Sequence, residues 1–142
     1  MGRTKAILKV RNAYDLERAA QGLIPQSQVR AIEVEAVVDT GATLVCLPRP
    51  EIEKLGLRFR RNVPVRTANG RAVRRTFGGA DAELLGRNFP MDVMENDEET
   101  PPLIGCVLLE VLDLVVDPKA ERVTTNPEHD GKWVLDCFGL VL

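Results

Sequence analysis

The hydrophobic residues of the chain fall in short runs that mostly alternate with polar residues, a pattern typical of half-buried β-strands. The clearest alternation covers residues 29–38 and ends in the apolar run Ala36–Val38. A weaker alternation covers residues 5–11, whereas residues 14–23 place their apolar side chains at helical spacing. The pattern therefore predicts a strand, a short helix and a second strand that ends at Val38.

A long hairpin is predicted in the middle of the chain. Residues 62–68 and 71–77 flank Asn69-Gly70, and this dipeptide favours a tight turn because both of its residues tolerate positive φ. Gly78-Gly79 predicts a bulge or bend in the second strand of the hairpin, which resumes over residues 80–86.

Two short helices are predicted, one on either side of this hairpin. The first begins at Pro48 and ends at Gly56, with Ile52 and Leu55 facing the core. The second follows the apolar segment Leu103–Gly105. Its predicted buried positions are Val107, Leu108, Val111 and Leu112.

The remaining segments complete a single predicted domain, residues 1–142, with no internal repeat or linker. Further strands are predicted over Phe89–Met94 and Leu114–Val116. Residues 95–102 are acidic and are expected to form an exposed loop. The apolar tail that begins at Trp133 is expected to pack as a final strand or as a dimer contact.

Composition and charge narrow the classes of function. A chain of 142 residues suits one domain with a core, and 44% apolar with 28% charged residues is ordinary for a globular protein. A net charge of −2 and 4% aromatic residues argue against a nucleic-acid partner. No apolar run reaches membrane-spanning length and the N-terminus lacks a signal-peptide core, so a cytoplasmic protein without a membrane partner is expected.

The cysteines and the single histidine give little indication of metal or nucleophilic chemistry. Cys46, Cys106 and Cys137 lie among apolar neighbours without zinc-ligand spacing, which predicts buried free thiols in a reducing compartment and no metal site. His129 lies in a polar segment, so a Ser-His-Asp or Cys-His mechanism would depend on this one loop residue.

The strongest candidate for chemistry is an aspartate at the end of the second predicted strand. Asp39 opens the sequence Asp-Thr-Gly-Ala, and a further apolar run, Leu44–Leu47, follows it. A carboxylate between two core-like segments is costly unless it is hydrogen-bonded or neutralised. Gly41 would permit a tight turn that brings backbone amides to this carboxylate, and Thr40 places a hydroxyl beside it.

The order strand, Asp-Thr-Gly-Ala, short helix, long hairpin, strand, Ile-Gly and helix resembles the retropepsin family. These are the single-domain aspartic proteases of retroviruses and their bacterial and cellular relatives. Asp39–Ala42 matches the family's catalytic loop, and Asn69-Gly70 falls at its flap tip. Leu103–Gly105, followed by Leu108-Leu109, matches the segment that leads into the family's helix.

The resemblance implies a mainly β fold, a closed β-barrel with a flap hairpin and one short C-terminal helix. The protease core would span residues 29–117. The segments 1–28 and 118–142 would be N- and C-terminal extensions of that core.

The resemblance also implies a homodimeric aspartic endopeptidase that hydrolyses peptide or protein substrates without a metal or organic cofactor. Because the chain has one Asp-Thr-Gly, each subunit would supply one Asp39, and the two carboxylates would share a proton and activate a water molecule. Thr40 would bond across the twofold axis, and Gly41 would expose its backbone to the substrate. The residues implied to bind substrate are Ala42, Ala68, Asn69, Gly70 and Ile104.

Two positions depart from the retroviral pattern. An acid usually follows the alanine and an arginine usually follows the downstream glycine, but here these positions hold Thr43 and Cys106. Both charges are missing together, so no unpaired buried charge is left, as expected for a divergent cellular-type member. The alternative is a catalytically inactive retropepsin-like module for dimerisation or peptide binding. An unrelated hydrolase or a nucleic-acid binder is a third class.

Other charged residues have simpler interpretations. Asp113 and Asp117 are interpreted as surface and turn groups. The arginines of the hairpin are interpreted as a solvated strand face. The alternative is that they give the protein a preference for acidic substrate side chains or for a charged partner. They are Arg66, Arg71, Arg74 and Arg75.

Overall fold

The computed structural model describes residues 3–139 and is mainly β, with 47% of its residues in strands. The strands are β1 (Lys5–Asn12), β2 (Ala31–Val38), β3 (Cys46–Pro48), β4 (Arg58–Thr67), β5 (Gly70–Leu84), β6 (Arg87–Asn96), β7 (Leu103–Ile104), β8 (Leu114–Asp117) and β9 (Arg122–Thr125). The α-helices are α1 (Ala13–Ala20), α2 (Arg49–Leu55) and α3 (Cys106–Val111). Single 3-10 turns lie at Gln26–Gln28 and Pro127–His129.

Six of the strands form a closed barrel, which confirms the predicted fold class. The strands follow the order β1-β2-β7-β3-β6-β5, and β5 closes the barrel by pairing with β1. These pairings are antiparallel except for β2 with β7 and β3 with β6, which are parallel. β4 pairs with β5 and lies outside the closed ring, so the β4–β5 hairpin projects from the barrel.

The barrel is filled by one face of its alternating strands and by the inner sides of α2 and α3. Fully burying a large aliphatic side chain stabilises the fold by roughly 1.5–3 kcal/mol, so these alternating segments form strands around a common interior. The buried apolar residues include Leu8, Val10, Ala36, Val45, Leu47, Ile52, Leu55, Leu84, Val93, Ile104, Leu108 and Leu112.

Local glycine signals are confirmed at two places. Gly56 takes the left-handed conformation with a φ of 63°, which ends α2 where the sequence predicts it. The β5–β6 register shifts between Phe77 and Ala80, so Gly78-Gly79 forms the predicted bulge.

The hairpin is confirmed, but its turn is shifted by one residue from the prediction. The two turn residues are Ala68 and Asn69, and Gly70 already pairs with Thr67 as the first residue of β5. Only Gly70 has a positive φ at this tip, 107°, so the turn does not place Asn69 and Gly70 together at its centre. The Thr67 hydroxyl accepts from the Asn69 amide and donates to the Gly70 carbonyl, which stabilises this arrangement.

The predicted acidic loop is shorter than expected. β6 continues to Asn96, and the Glu95 carboxylate receives hydrogen bonds from Arg75 at 2.7 and 2.8 Å. Arg49 on α2 lies 3.4 Å from the same carboxylate. Glu95 is thus part of the sheet because two arginines, both distant in sequence, compensate its charge.

The face that α3 buries also differs from the prediction. Leu108, Leu109 and Leu112 are buried, whereas Val107 and Val111 remain partly exposed. The helix contacts β8, the first strand of a β8–β9 hairpin whose second strand the sequence pattern did not predict. Leu109 is part of the buried core, so the buried face of the helix is wider on this side than the sequence pattern predicts.

The expectation of three buried thiols is wrong for two of them. Cys46 on β3 is buried, but Cys106 and Cys137 are exposed and all three are free. Cys106 is the first residue of α3 and points away from the core, and Cys137 lies in the tail. Apolar neighbours in sequence do not settle which side of a helix or tail faces solvent.

The tail contains no strand within its described residues, 131–139, and residues 140–142 lie outside the described part. Leu135 is 58% exposed and Phe138 is 89% exposed. A final strand within these residues is therefore wrong for the single chain, because none of them pairs with a sheet edge. A dimer contact stays a prediction.

Candidate active site

Asp39 lies at the point where β2 leaves the sheet. β2 pairs in parallel with β7, with Val37 opposite Leu103 and Val38 opposite Ile104. The Asp39 amide extends this ladder by donating to the Ile104 carbonyl at 2.9 Å. The parallel pairing therefore fixes the position from which the carboxylate projects.

The loop after Asp39 folds back on the aspartate. The Gly41 amide donates to Asp39 Oδ1 at 3.0 Å, and the Ala42 amide donates to the Asp39 backbone carbonyl at 3.0 Å. A Cβ at Gly41 would lie 3.2 Å from Asp39 Oδ1, so glycine leaves the carboxylate uncrowded. Within residues 3–139, no other hydrogen bond or ion pair reaches the carboxylate, and the side chain faces solvent.

The start of α3 supports the loop from behind. The amides of Cys106 and Val107 donate to the carbonyls of Ala42 and Thr43, at 2.9 and 3.1 Å. A Cβ at Gly105 would lie 2.5 Å from the Leu44 carbonyl oxygen, so glycine is required for this close approach of two backbones.

The two positions that depart from the retroviral pattern lie on either side of this contact. Thr43 and Cys106 are both exposed. The loop and the helix are joined through their backbones, by the hydrogen bonds from Val107 to Thr43 and from Cys106 to Ala42. The retroviral pattern has two side chains of opposite charge at the positions of Thr43 and Cys106. Among the described residues, no buried side-chain nitrogen or oxygen lacks a hydrogen-bond partner.

Cys46 lies just beyond the loop, opposite Leu103 on β7. Burial and, to a smaller extent, the nearby Asp39 carboxylate raise the pKa of the Cys46 thiol to about 11, and Arg74 opposes part of this shift. The thiol is therefore neutral at ordinary pH and offers no nucleophile beside Asp39.

The residues singled out in the sequence fall into two groups. Asp39, Thr40, Gly41 and Ala42 form one loop, and Ile104 stands directly behind it. The Ile104 side chain is fully buried, so the contribution of this residue to the loop is its backbone carbonyl.

The second group, Ala68–Gly70, forms the exposed tip of the projecting hairpin. No hydrogen bond within the described chain joins this tip to the Asp39 loop. A Cβ at Gly70 would meet nothing within 4 Å, so the tip is free on this side. Nearby, Arg66 and Arg71 face each other across the hairpin, an unfavourable pairing of like charges.

Asp113 is not the surface group that the sequence predicted. Its side chain is 10% exposed and lies 2.6 Å from His129 Nδ1. The hydrogen bond from His129 lowers the pKa of Asp113, against the opposing effect of burial. By contrast, Asp117 accepts from the amides of Lys119 and Ala120 and is the predicted turn residue. Asp113 has a positive φ of 55°, and no signal in the sequence indicates this conformation.

The strand–loop–helix arrangement around an exposed aspartate on a closed barrel defines the class of acid proteases built from a single small domain. The sequence model of the aspartyl protease family matches residues 26–107, more than half of the chain. The match includes the Asp39 loop, the whole hairpin and the first residues of α3. The chain belongs to the retropepsin-like aspartyl protease family and is thus a protease of the aspartic class, with peptides as its substrates. No curated protein matches the chain.

Two further observations concern partners other than peptides. Within residues 3–139, no group of three or more His, Cys, Asp or Glu side chains could hold a metal ion. No helix in the same range is long and apolar enough to cross a membrane.

Proposed function

We propose that the chain is a homodimeric aspartic endopeptidase in which Asp39 from each of two subunits meets at a twofold axis. The observation that carries the proposal is that the Asp39 carboxylate is exposed in the single chain. The carboxylate is held by a single backbone amide, in a loop fixed from behind, and one of its oxygens is left for a partner. A single chain has only this one Asp-Thr-Gly, so an acid pair requires a second copy.

The reaction follows from two like charges that lie a few ångströms apart. The pair shares one proton, since both groups cannot ionise at that distance. The ionised Asp39 takes a proton from a water molecule, whose oxygen bonds to the peptide carbonyl carbon, while the protonated Asp39 donates to the carbonyl oxygen. The C–N bond then breaks and the leaving amine takes up a proton.

The other residues of the loop hold the pair and the substrate. We assign to Thr40 a hydrogen bond across the axis and to Gly41 and Ala42 contacts with the substrate backbone. The hairpin tip, Ala68–Gly70, would close over an extended peptide, pairing with it and excluding water. The facing arginines Arg66 and Arg71 support a preference for acidic side chains in the substrate.

The proposed unit is one domain, residues 1–142. β1, which lies in the expected N-terminal extension, pairs with β2 in the barrel. The cytoplasmic location expected from the sequence stays part of the proposal.

The test is Asp39→Asn, compared with the wild type on a mixture of peptides from a proteome digest. The substitution keeps the shape of the side chain and removes the acid, so every cut made by the pair should disappear between about pH 4 and pH 8. Mass spectrometry of the products would reveal both the cuts and the side-chain preference.

Asp92→Asn is the matched control, because Asp92 is 43% exposed in an ion pair with Arg60 and lies outside the loop. Its cuts should equal those of the wild type. If Asp39→Asn cleaved the same bonds at the same rate, an acid-pair mechanism would be wrong.

The second candidate function is a catalytically inactive module for dimerisation or peptide binding. The exposed Thr43 and Cys106, which replace an ion pair, favour it. A module of this kind would bind peptides equally well as wild type and as Asp39→Asn, and neither form would cleave them.

A further inference from the structure

α3 is a short connection between the Asp39 loop and the C-terminal part of the chain. Its six residues carry no side-chain cap at the N-terminus. Its first amides, those of Cys106 and Val107, donate to the loop carbonyls instead. So short a helix has little intrinsic stability, and its position depends on what holds its two ends.

Arg87, the first residue of β6, holds the other end. Its Nη1 donates to the carbonyls of Leu112 at 2.8 Å and Asp113 at 3.2 Å, just after the last turn of α3. Its Nη2 donates to the Gly131 carbonyl at 3.0 Å. One guanidinium thus joins the barrel, the end of α3 and the C-terminal segment, which its planar fork of donors makes possible.

Two more contacts complete this clamp. The Arg87 guanidinium lies 5.8 Å from the centre of the Trp133 ring, and the indole Nε1 donates to the Val111 carbonyl at 3.0 Å. The Asp113 carboxylate binds His129 and accepts from the Val134 amide at 3.1 Å. Carbonyls that a helix leaves without a partner at its C-terminal end are therefore satisfied by residues from outside the helix.

We propose that Arg87 is a positioning residue for the proteolytic site: by clamping the C-terminal end of α3, it keeps the helix N-terminus in register with the Asp39 loop. Arg87 touches neither the loop nor Asp39 and acts through the helix. The inference rests on the proposed function for its effect on turnover, but its structural part can be measured separately.

The experiment compares the full-length wild type with Arg87→Ala, Arg87→Lys and Trp133→Phe. Amide hydrogen exchange reports the loop–helix contact directly, at the amides of Cys106 and Val107. In Arg87→Ala we expect exchange at these two amides to rise by about tenfold or more, while the amides of β1 in the barrel keep their protection.

Turnover provides the second readout, on a peptide that the wild type cleaves. Small displacements of catalytic groups can lower rates by up to about 100-fold, so we expect Arg87→Ala to lower kcat by about 10- to 100-fold with little change in KM. Lysine keeps the charge over Trp133 but lacks the fork, so Arg87→Lys should recover part of the loss. Trp133→Phe keeps an aromatic ring beside Arg87 but loses the indole donor to the Val111 carbonyl, so its effect should be the smallest.

Arg11→Ala is the matched control, because Arg11 is also a partly exposed arginine at a barrel strand, bonded to Glu83 at 3.0 Å, without contact to α3. Unchanged exchange at Cys106 and Val107 in a folded Arg87→Ala variant would overturn the inference. If Arg87→Ala did not fold, unchanged exchange in Arg87→Lys would overturn it equally. Raised exchange in a chain that cleaves no peptide would support the positioning role and count against the proposed function.

Discussion

Gly105 shows how a single residue can decide whether the acid loop forms. Its backbone lies against Thr43 and Leu44 so closely that a side chain cannot be accommodated without moving one of the two backbones. The constraint is one of space, since the φ of Gly105, −84°, is open to any residue. Gly41 has the milder role of leaving the Asp39 carboxylate uncrowded.

Gly105→Ala should therefore destabilise the protein and disturb the loop together. A methyl group forced against the backbone costs about 1–3 kcal/mol, measured as the free energy of unfolding in denaturant. Activity should fall as well, because the displaced carbonyls belong to the loop that follows Asp39. Gly139→Ala is the control, since its Cβ would meet nothing within 4 Å. Equal unfolding free energies for the two variants would contradict this role.

At the scale of elements, α1 is joined to the barrel by buried polar contacts. The Asn12 side chain accepts from the Asp15 amide and donates to the Leu55 carbonyl at the end of α2. The Asp15 carboxylate, on a residue that is 3% exposed, receives three hydrogen bonds from Arg30, one from the backbone and two from the guanidinium. These contacts hold α1 against the segment that enters β2.

The contact between Asp15 and Arg30 predicts a pH dependence of stability. The hydrogen bonds from Arg30 lower the pKa of Asp15, against the opposing effect of burial. A carboxyl whose pKa is lower in the folded state stabilises the fold above its unfolded pKa of about 3.9, and this stabilisation is lost as the pH falls through the folded pKa.

Asp15→Asn should accordingly lower the free energy of unfolding by about 1–2 kcal/mol at neutral pH, a modest loss because the Arg30 side chain is half exposed. The difference from the wild type should shrink as the pH falls below about 4. Denaturant unfolding at several pH values measures both. Asp92→Asn, at an exposed ion pair, should change stability by less than about 0.5 kcal/mol. If the difference in unfolding free energy between the wild type and Asp15→Asn grew in acid, the pKa of Asp15 would be raised in the folded state and not lowered.

At the scale of the whole molecule, the described chain ends in an apolar tail that the monomer does not cover. Val134, Leu135 and Phe138 are all exposed, although the root of the tail is fixed at Trp133 and at the Val134 amide. A second copy of the chain is the occupant that the proposed function requires. We therefore expect this tail to contribute to the dimer contact.

Phe138→Asp should raise the dimer dissociation constant by about tenfold or more, because a buried aromatic side chain contributes at least 1.5 kcal/mol or so to an interface. Sedimentation equilibrium measures the constant. Leu23→Asp is the matched control, because Leu23 is also an exposed large hydrophobic residue, 68% accessible, but lies outside the tail. Equal dissociation constants for the two variants would show that the tail is not part of the dimer interface.

Features that depend on neighbours in sequence could be predicted without the structure. The alternation before Asp39, the glycine that ends α2 and the Gly78-Gly79 bulge each depend on backbone conformation within a few residues. The predicted place of Asp39, directly after the last residue of its strand, is confirmed by the end of β2 at Val38. The turn lies at Ala68-Asn69, one residue before the predicted Asn69-Gly70, because the Thr67 hydroxyl bonds the Asn69 amide and the Gly70 carbonyl and stabilises this register.

What the tertiary structure alone decided are the contacts between distant residues. Arg11 bonds Glu83 across 72 positions, Arg87 bonds Asp113 across 26 and His129 bonds Asp113 across 16. The local sequence around a charged residue does not indicate whether its side chain is solvated or paired, because its partner comes from a distant part of the chain. The amino-acid sequence thus determined where the acid lies, and the folded barrel determined which backbone and side-chain groups hold it there.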